Sequence, residues 1–252
     1  MTDERFFERS GRKIIVTGHY GSGKTEFAVS LALLFSALEV GKSTSSRAKE
    51  PAANCGAPVS VALIDLDIIN PYFRSRERRE LLEAAGVSVF GSVYDKELSA
   101  ELPALGASLR GPLEDASCRV IVDSGGDSSG ALVLNQFGKY FTDGETTVLA
   151  IVNANRPETS NLDGALAHIA SIEAATGLNV TGIVNNCHLL RETTADIIFK
   201  GHELCEKIRE ATGKQLWCDC YPDGIVAQED LTGLSGNLMP MGLYMRPTWL
   251  DK

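Results

Sequence analysis

The chain has 252 residues, 44% hydrophobic and 23% charged, the composition of an ordinary globular protein, which argues against a fibrous repeat or wholesale disorder. Its 24 Lys and Arg are outnumbered by 33 Asp and Glu, giving a net charge of −9 and a pI near 5.0, so nonspecific attraction to nucleic acid or anionic lipid is not expected. Residues 1–13 mix acids and bases with no apolar run of the secretory kind, and the longest nearly charge-free stretch, 27–38, falls short of the roughly 20 residues that span a bilayer. A cytoplasmic location without membrane contact is the expectation.

Short Val- and Ile-rich runs alternate with longer helical patterns along the whole chain, the rhythm of βαβ units and a mostly parallel sheet. Strands are predicted at 13–17, 59–65, 87–90, 119–123, 146–152, 180–185 and 215–220, and helices at 24–38, 75–85, 129–140, 158–176 and 194–212. Several strands are apolar on successive residues, such as Ile14, Ile15 and Val16, as expected when helices cover both sheet faces. The expected architecture is therefore a three-layer α/β sandwich, one domain over 1–252. Gly177 and Gly213 mark two helix ends, where glycine adopts a left-handed conformation at least cost. Segment 41–60 is small, polar and Pro-containing, and reads as a long flexible loop; segment 230–252 reads as a tail, with Leu243, Tyr244 and Trp249 packed on the body and two prolines excluding a continuous membrane helix. The six cysteines form no C-x-x-C pair and are expected to be free thiols.

The strongest chemical signal is Gly18-His19-Tyr20-Gly21-Ser22-Gly23-Lys24-Thr25, which fits the phosphate-loop (Walker A) pattern G-x-x-x-x-G-K-[ST] and lies between an apolar strand and an apolar helix. Glycines allow the backbone to wrap a polyphosphate with its N–H groups pointing inward, and the following helix adds its own unpaired N–H groups. Lys24 then supplies a cation for the β and γ phosphates, and the Thr25 hydroxyl can ligate Mg²⁺.

Two strands end in acids. Asp65 and Asp67 close the second, and Asp123 closes the fourth, followed by Ser124, Gly125 and Gly126. In an open α/β sheet these ends share a rim with the phosphate loop, and three acids beside a triphosphate make sense with a cation between them. Mg²⁺ suits the site because it keeps waters that carboxylates can hold while it touches phosphate oxygens directly. Alternation places Asp67 one pleat beyond Asp65, toward an attacking water, and the glycines after Asp123 allow the backbone close to the γ-phosphate.

These residues resemble the MinD/ParA (CobQ/CobB-like) branch of P-loop ATPases. The likeness rests on VTGHYGSGKTEFAVSLA at 16–32, VALIDLDIINPYFRSRE at 61–77, VIVDSGGD at 120–127, GIVNN at 182–186 and YPDGIV at 221–226. It implies the three-layer P-loop NTPase fold, an adenine contact from Asn185, a Pro222–Asp223 turn along the base, a metal shell with a water-activating acid at Asp65 and Asp67, and a γ-phosphate donor at Gly126. Members that form nucleotide-sandwich dimers carry a Lys directly after the first loop glycine, where this chain has His19, so a trans-acting lysine is missing. Arg74, Arg76, Arg78 and Arg79 offer a substitute finger or a solvated helix face.

No N-K-x-D occurs, which favours ATP over GTP. The histidines form no HExxH, and Cys187-His188, His202-x-x-Cys205 and Cys218-x-Cys220 match no standard zinc spacing. The expected function is a slow Mg·ATP-dependent ATPase that switches a homodimer or protein partner, without direct DNA binding. Two alternatives stand beside it: an ATP-dependent small-molecule ligase or kinase resembling dethiobiotin synthetase, and a nucleotide-binding module without turnover.

Overall fold

A computed structural model of the chain describes residues 9–46, 60–67, 75–91, 109–126, 134–142, 144–234 and 237–245. In chain order they form β1 (Lys13–Gly18), α1 (Lys24–Ser46), β2 (Ser60–Leu66), α2 (Arg79–Ala84), β3 (Val87–Gly91), β4 (Cys118–Ser124), β5 (Thr146–Val152), α3 (Leu162–Thr176), β6 (Gly182–Asn185), α4 (Ala195–Thr212), β7 (Gln215–Pro222) and β8 (Leu238–Met241). The eight strands make one sheet in the order β3-β2-β4-β1-β5-β6-β7-β8, every neighbouring pair parallel. All seven predicted strands are present, with ends within two residues of expectation.

The sheet separates two apolar layers. One packs Phe27, Leu31 and Phe35 of α1 and Leu82 of α2 against Ile14, Val16, Leu63 and Ile121, and extends to Met239 and Met241 of β8. The other packs Ala165 and Ile169 of α3 and Leu204, Cys205 and Ile208 of α4 against Ile15, Val120, Val122 and Ile183. Consecutive residues of each central strand thus face different cores, which is why those runs are apolar throughout. Helix ends follow local chemistry: the Asn161 side chain accepts a hydrogen bond from Gly164 N at the start of α3, and Gly177 and Gly213 close α3 and α4 at φ of 67° and 73°.

Several features differ from the sequence reading. α1 continues to Ser46, into the segment read as loop, because 39–46 contains no proline and its single Gly41 weakens a helix without ending it; residues 47–59 lie outside those described. The helix predicted at 75–85 is a 3₁₀ turn, Ser75–Arg78, leading into the shorter α2. Of the helix predicted at 129–140, Leu134 and Asn135 are helical and Gly138–Tyr140 is a 3₁₀ turn, while 129–133 lie outside the described residues. Residues 109–114, which were assigned to no element, are helical. Within the segment read as a tail, Leu238–Met241 form the edge strand β8, in which Pro240 lies opposite Tyr221, and Tyr244 packs against the first apolar layer. Trp249 lies outside the described residues. Among the described residues no helix is long and apolar enough to cross a membrane.

Candidate functional site: a phosphate loop beside buried carboxylates

β1 lies between β4 and β5, the point where successive crossovers leave the sheet in opposite directions, so the loop after it opens into a crevice at the strands' carboxyl ends. Residues 18–25 fill that position. Gly18, Gly21 and Gly23 have φ of 143°, 73° and 85°, backbone that glycine adopts at least cost. At Gly23 the requirement is doubled, because a Cβ there would come within 2.4 Å of Asn186 Nδ2. Donors from surrounding elements hold the loop's carbonyls: Ser22 N and Lys24 Nζ donate to His19 O at 3.0 and 3.3 Å, Arg156 Nε to Gly21 O at 2.8 Å, and Asn186 Nδ2 to Ser22 O at 2.8 Å. Thr25, in the first turn of α1, is buried.

The predicted carboxylates gather beside this loop. Asp65 and Asp123 are direct register partners on β2 and β4, and Asp67 N donates to Asp65 Oδ1 at 3.2 Å. All three are buried, Asp123 completely. Burial, then the negative charge of Asp65, pushes the Asp123 carboxyl well up; the Lys24 ammonium and the Thr25 hydroxyl pull it back, against a further push from Asp67. Neither Asp123 oxygen makes a hydrogen bond of normal geometry. A buried, unpartnered carboxylate beside a second one is costly unless a cation completes it. The donor set is all oxygen, which suits a hard divalent ion. Among the described residues no three His, Cys, Asp or Glu side chains form a cage for a metal by themselves.

Gly126 lies against the loop from the other side. A Cβ there would meet Lys24 Nζ at 2.5 Å, Gly18 O at 2.7 Å and Tyr20 N at 3.1 Å, so only a glycine brings the backbone this close to the lysine head group.

A cleft of about 350 Å³ opens from the loop toward the C-terminal end of the chain, lined by Tyr20, Glu26, Arg156, Asn186, His188, Pro222 and the 241–245 segment, among others. Pro222 lines it, whereas Asp223 is exposed and donates its N–H to Met241 O. Asn185 does not line it. Its amide donates to Ile198 O and Asp219 Oδ1 at 2.9 and 2.6 Å, its oxygen accepts from Cys187 N, and Asp219 is itself held by His202 Nδ1 at 2.9 Å. The asparagine that reaches the loop and the cleft is the next one, Asn186. Burial, reinforced by the charge of Arg156, lowers the His188 imidazole to about 4, so it is neutral at physiological pH.

His19 turns away from the carboxylates. Its Nδ1 lies 2.9 Å from Tyr20 O, its Nε2 lies 3.6 Å from Glu158 Oε2, and its ring meets His168 edge-on at 5.3 Å. Of the arginines considered as fingers, Arg79 is bound to Glu83 and to Val89 O, and Arg78 stands close enough to Glu26 for its charge to be felt there. Arg74 and the Arg76 side chain lie outside the described residues. Arg156, Asn186 and Glu26 are site residues that the sequence reading did not single out; the duplicated Asn of GIVNN was the one visible hint.

No family model matches the chain, and no curated protein matches it. Solved structures do. The cell division protein FtsY of Thermotoga maritima is 19% identical and superposes with a TM-score of 0.51 over 81% of this chain and 60% of its own. FtsY of Mycoplasma mycoides is 12% identical over 83% of this chain and 59% of its own, with a TM-score of 0.47, and a nucleotide-binding protein of Archaeoglobus fulgidus, solved with ADP, is 16% identical over 72% and 70%, with a TM-score of 0.37. This chain thus spans about 60% of the length of the FtsY chains it resembles. At such identities the likeness concerns the fold: a single parallel sheet flanked by helices, the α/β fold of P-loop NTPases.

Proposed function

We propose that this chain is a P-loop ATPase of the MinD/ParA kind that binds Mg·ATP and acts as a nucleotide-dependent switch. The observation that carries the reading is the fully buried Asp123, whose two oxygens lack partners, beside Asp65 and Lys24 at the mouth of the 18–25 loop. In this reading the backbone of Gly18, His19, Tyr20, Gly21, Ser22 and Gly23 cradles the phosphates, and Lys24 neutralises the β and γ groups. Thr25, Asp65 and Asp123 hold Mg²⁺ directly or through water, and the ion supplies charge neutralisation at the phosphates when bound. Asp67 orients the attacking water, and Lys24 stabilises charge as it develops.

The switch resides in Gly126. Its backbone leaves no room for a Cβ beside the Lys24 head group, so a γ-phosphate at Lys24 acts on the segment that follows β4, and a second copy of the chain or another protein partner reads that change. The base enters the cleft between Asn186 and Pro222. Adenine is favoured because the loop after β6, Asn186-Cys187-His188-Leu189, has no acid to accept guanine's N–H groups, and because Glu26, among the described residues the one carboxylic acid on the cleft wall, is engaged by the N–H groups of Tyr244 and Met245. Single-turnover phosphate release tests the assignment: ATP is hydrolysed in preference to GTP, and Asp67→Ala keeps binding but loses turnover. Phosphate release from ATP that requires an added metabolite would favour a ligase or kinase, and binding with no release under any condition would leave a module without turnover.

A further inference from the structure

The phosphate loop has a second cation. The charge of Lys24 is felt at Asp123, whereas Arg156 reaches Gly21 from the loop after β5. Its backbone is fixed before its side chain is: Arg156 N donates to Asn153 O at 3.1 Å, Thr159 N donates back to Arg156 O at 3.1 Å, and the Thr159 hydroxyl also donates to the fully buried Asn153's carbonyl. Pro157 then starts a 3₁₀ turn, with its own φ preset. The side chain places Nε on Gly21 O at 2.8 Å, and its guanidinium packs so closely on Gly21 that a Cβ there would meet Arg156 Nε at 3.0 Å. Among the described residues no carboxylate pairs with it. The half-buried guanidinium lines the cleft beside Tyr20, Asn186 and His188, and the neutral His188 offers its charge no compensation.

A guanidinium anchored through Nε keeps two terminal amino groups, in one plane, for a bidentate oxygen ligand. Triphosphate seated in the 18–25 loop leaves the α-phosphate and the sugar as the oxygen-bearing groups on the cleft side. Resting on the nucleotide reading above, we infer that Arg156 is a binding residue for the nucleoside end of the ligand, contacting α-phosphate and ribose oxygens while its Nε holds the loop at Gly21. It is thereby a second cation supplied in cis, distinct from Lys24 and from His19, whose ring lies against Glu158 and His168.

Competition against a fluorescent ATP analogue, with ATP and inorganic tripolyphosphate as the two probes, tests the assignment on Arg156→Met and Arg156→Lys. Arg156→Met is expected to weaken ATP about tenfold or more, as loss of a charge-assisted bidentate contact does, and tripolyphosphate no more than about twofold; Arg156→Lys recovers part of the ATP loss. Equal weakening of both probes, or of neither, overturns the assignment. If the wild-type chain binds ATP but not tripolyphosphate, the ATP loss in Arg156→Met decides alone, with no loss counting against it. Failure of the wild-type chain to bind either probe overturns the nucleotide reading itself. Should Arg156→Met not fold, Arg156→Lys carries the test, because a lysine keeps the charge but cannot anchor to Gly21 and grip an oxygen pair at once.

Discussion

The carboxylate of Glu26, one residue after Thr25, accepts a hydrogen bond from the backbone N–H of Met245 at 3.0 Å, so the start of α1 is tied directly to the far end of the described chain. The Tyr244 N–H makes a second bond to the same carboxylate. This link closes one wall of the cleft with residues 242–245, and it places an acid where water is scarce. Burial raises Glu26 from its ordinary 4.5 to about 7, against the lowering effect of the two N–H groups and of Arg78.

That shift sets a pH dependence. The folded value lies above the unfolded one, so the fold favours the protonated acid: the contribution is fully present below pH 4.5 and is lost as pH rises toward 7. The span corresponds to about 3 kcal/mol. Glu26→Gln removes the titration, and urea unfolding at pH 5 and pH 8 is expected to show the variant gaining more stability than the wild type between the two values. Parallel stability profiles for the two proteins count against the assignment.

His188 works in the opposite sense. Burial lowers it from 6.5 to about 4, so its contribution is present above pH 6.5 and is lost as pH falls toward 4. The amount is again about 3 kcal/mol. The two windows overlap and partly cancel in the wild type, so each variant exposes the other group: Glu26→Gln steepens the acid loss, and His188→Gln leaves a decline toward neutral pH. Thermal melts from pH 4 to 8 on both variants check this, and identical profiles for the two would refute it.

Gly126→Ala introduces a methyl group 2.7 Å from the Gly18 carbonyl, a backbone atom that cannot step aside. A loss of about 1–3 kcal/mol in stability is expected, together with weakened nucleotide binding, because the displaced segment presses on Lys24. Chemical denaturation and a binding isotherm on the same preparation measure both. Unchanged binding would separate Gly126 from the phosphate site.

Adjacent asparagines make a matched pair. Asn186→Ala frees the Ser22 carbonyl and is expected to cost about 1 kcal/mol of stability while weakening nucleotide binding. Asn185→Ala takes a donor from the buried Asp219, so the larger stability loss belongs there, about 1–3 kcal/mol, with less effect on affinity per unit of stability. Nucleotide titration paired with denaturant melts reads the contrast; the reverse ranking of affinities returns the contact to Asn185.

Much of the fold was legible because a parallel sheet covered on both faces writes itself as unbroken apolar runs, and 14–16 and 120–122 are such runs. β8 was not, since Leu-Met-Pro-Met is short and contains a proline, and only its place at the sheet edge makes that tolerable. That residues 18–25 form the loop between β1 and α1, with Asp65 and Asp123 side by side at neighbouring strand ends, could be read from residue type and spacing. The choice between Asn185 and Asn186 could not be read that way, because the two are adjacent and their facing is set by partners distant in sequence, Ile198 and Asp219 for Asn185 and Ser22 for Asn186. Arg156 and Glu26 were missed for a related reason: which way a side chain on a loop or a helix's first turn points, and what comes to meet it from more than a hundred residues away, is written in no local period.

The central claim is that residues 18–25 form a cradle for a nucleotide's phosphates with Lys24 as its cation. Calorimetric titration of the full chain with ATP in the presence of Mg²⁺, repeated on Lys24→Ala and without the metal, tests it most directly. Saturable binding to the wild type that is lost in Lys24→Ala and weakened without Mg²⁺ is the predicted result. Absence of binding to the wild type, or equal affinity in Lys24→Ala, contradicts it.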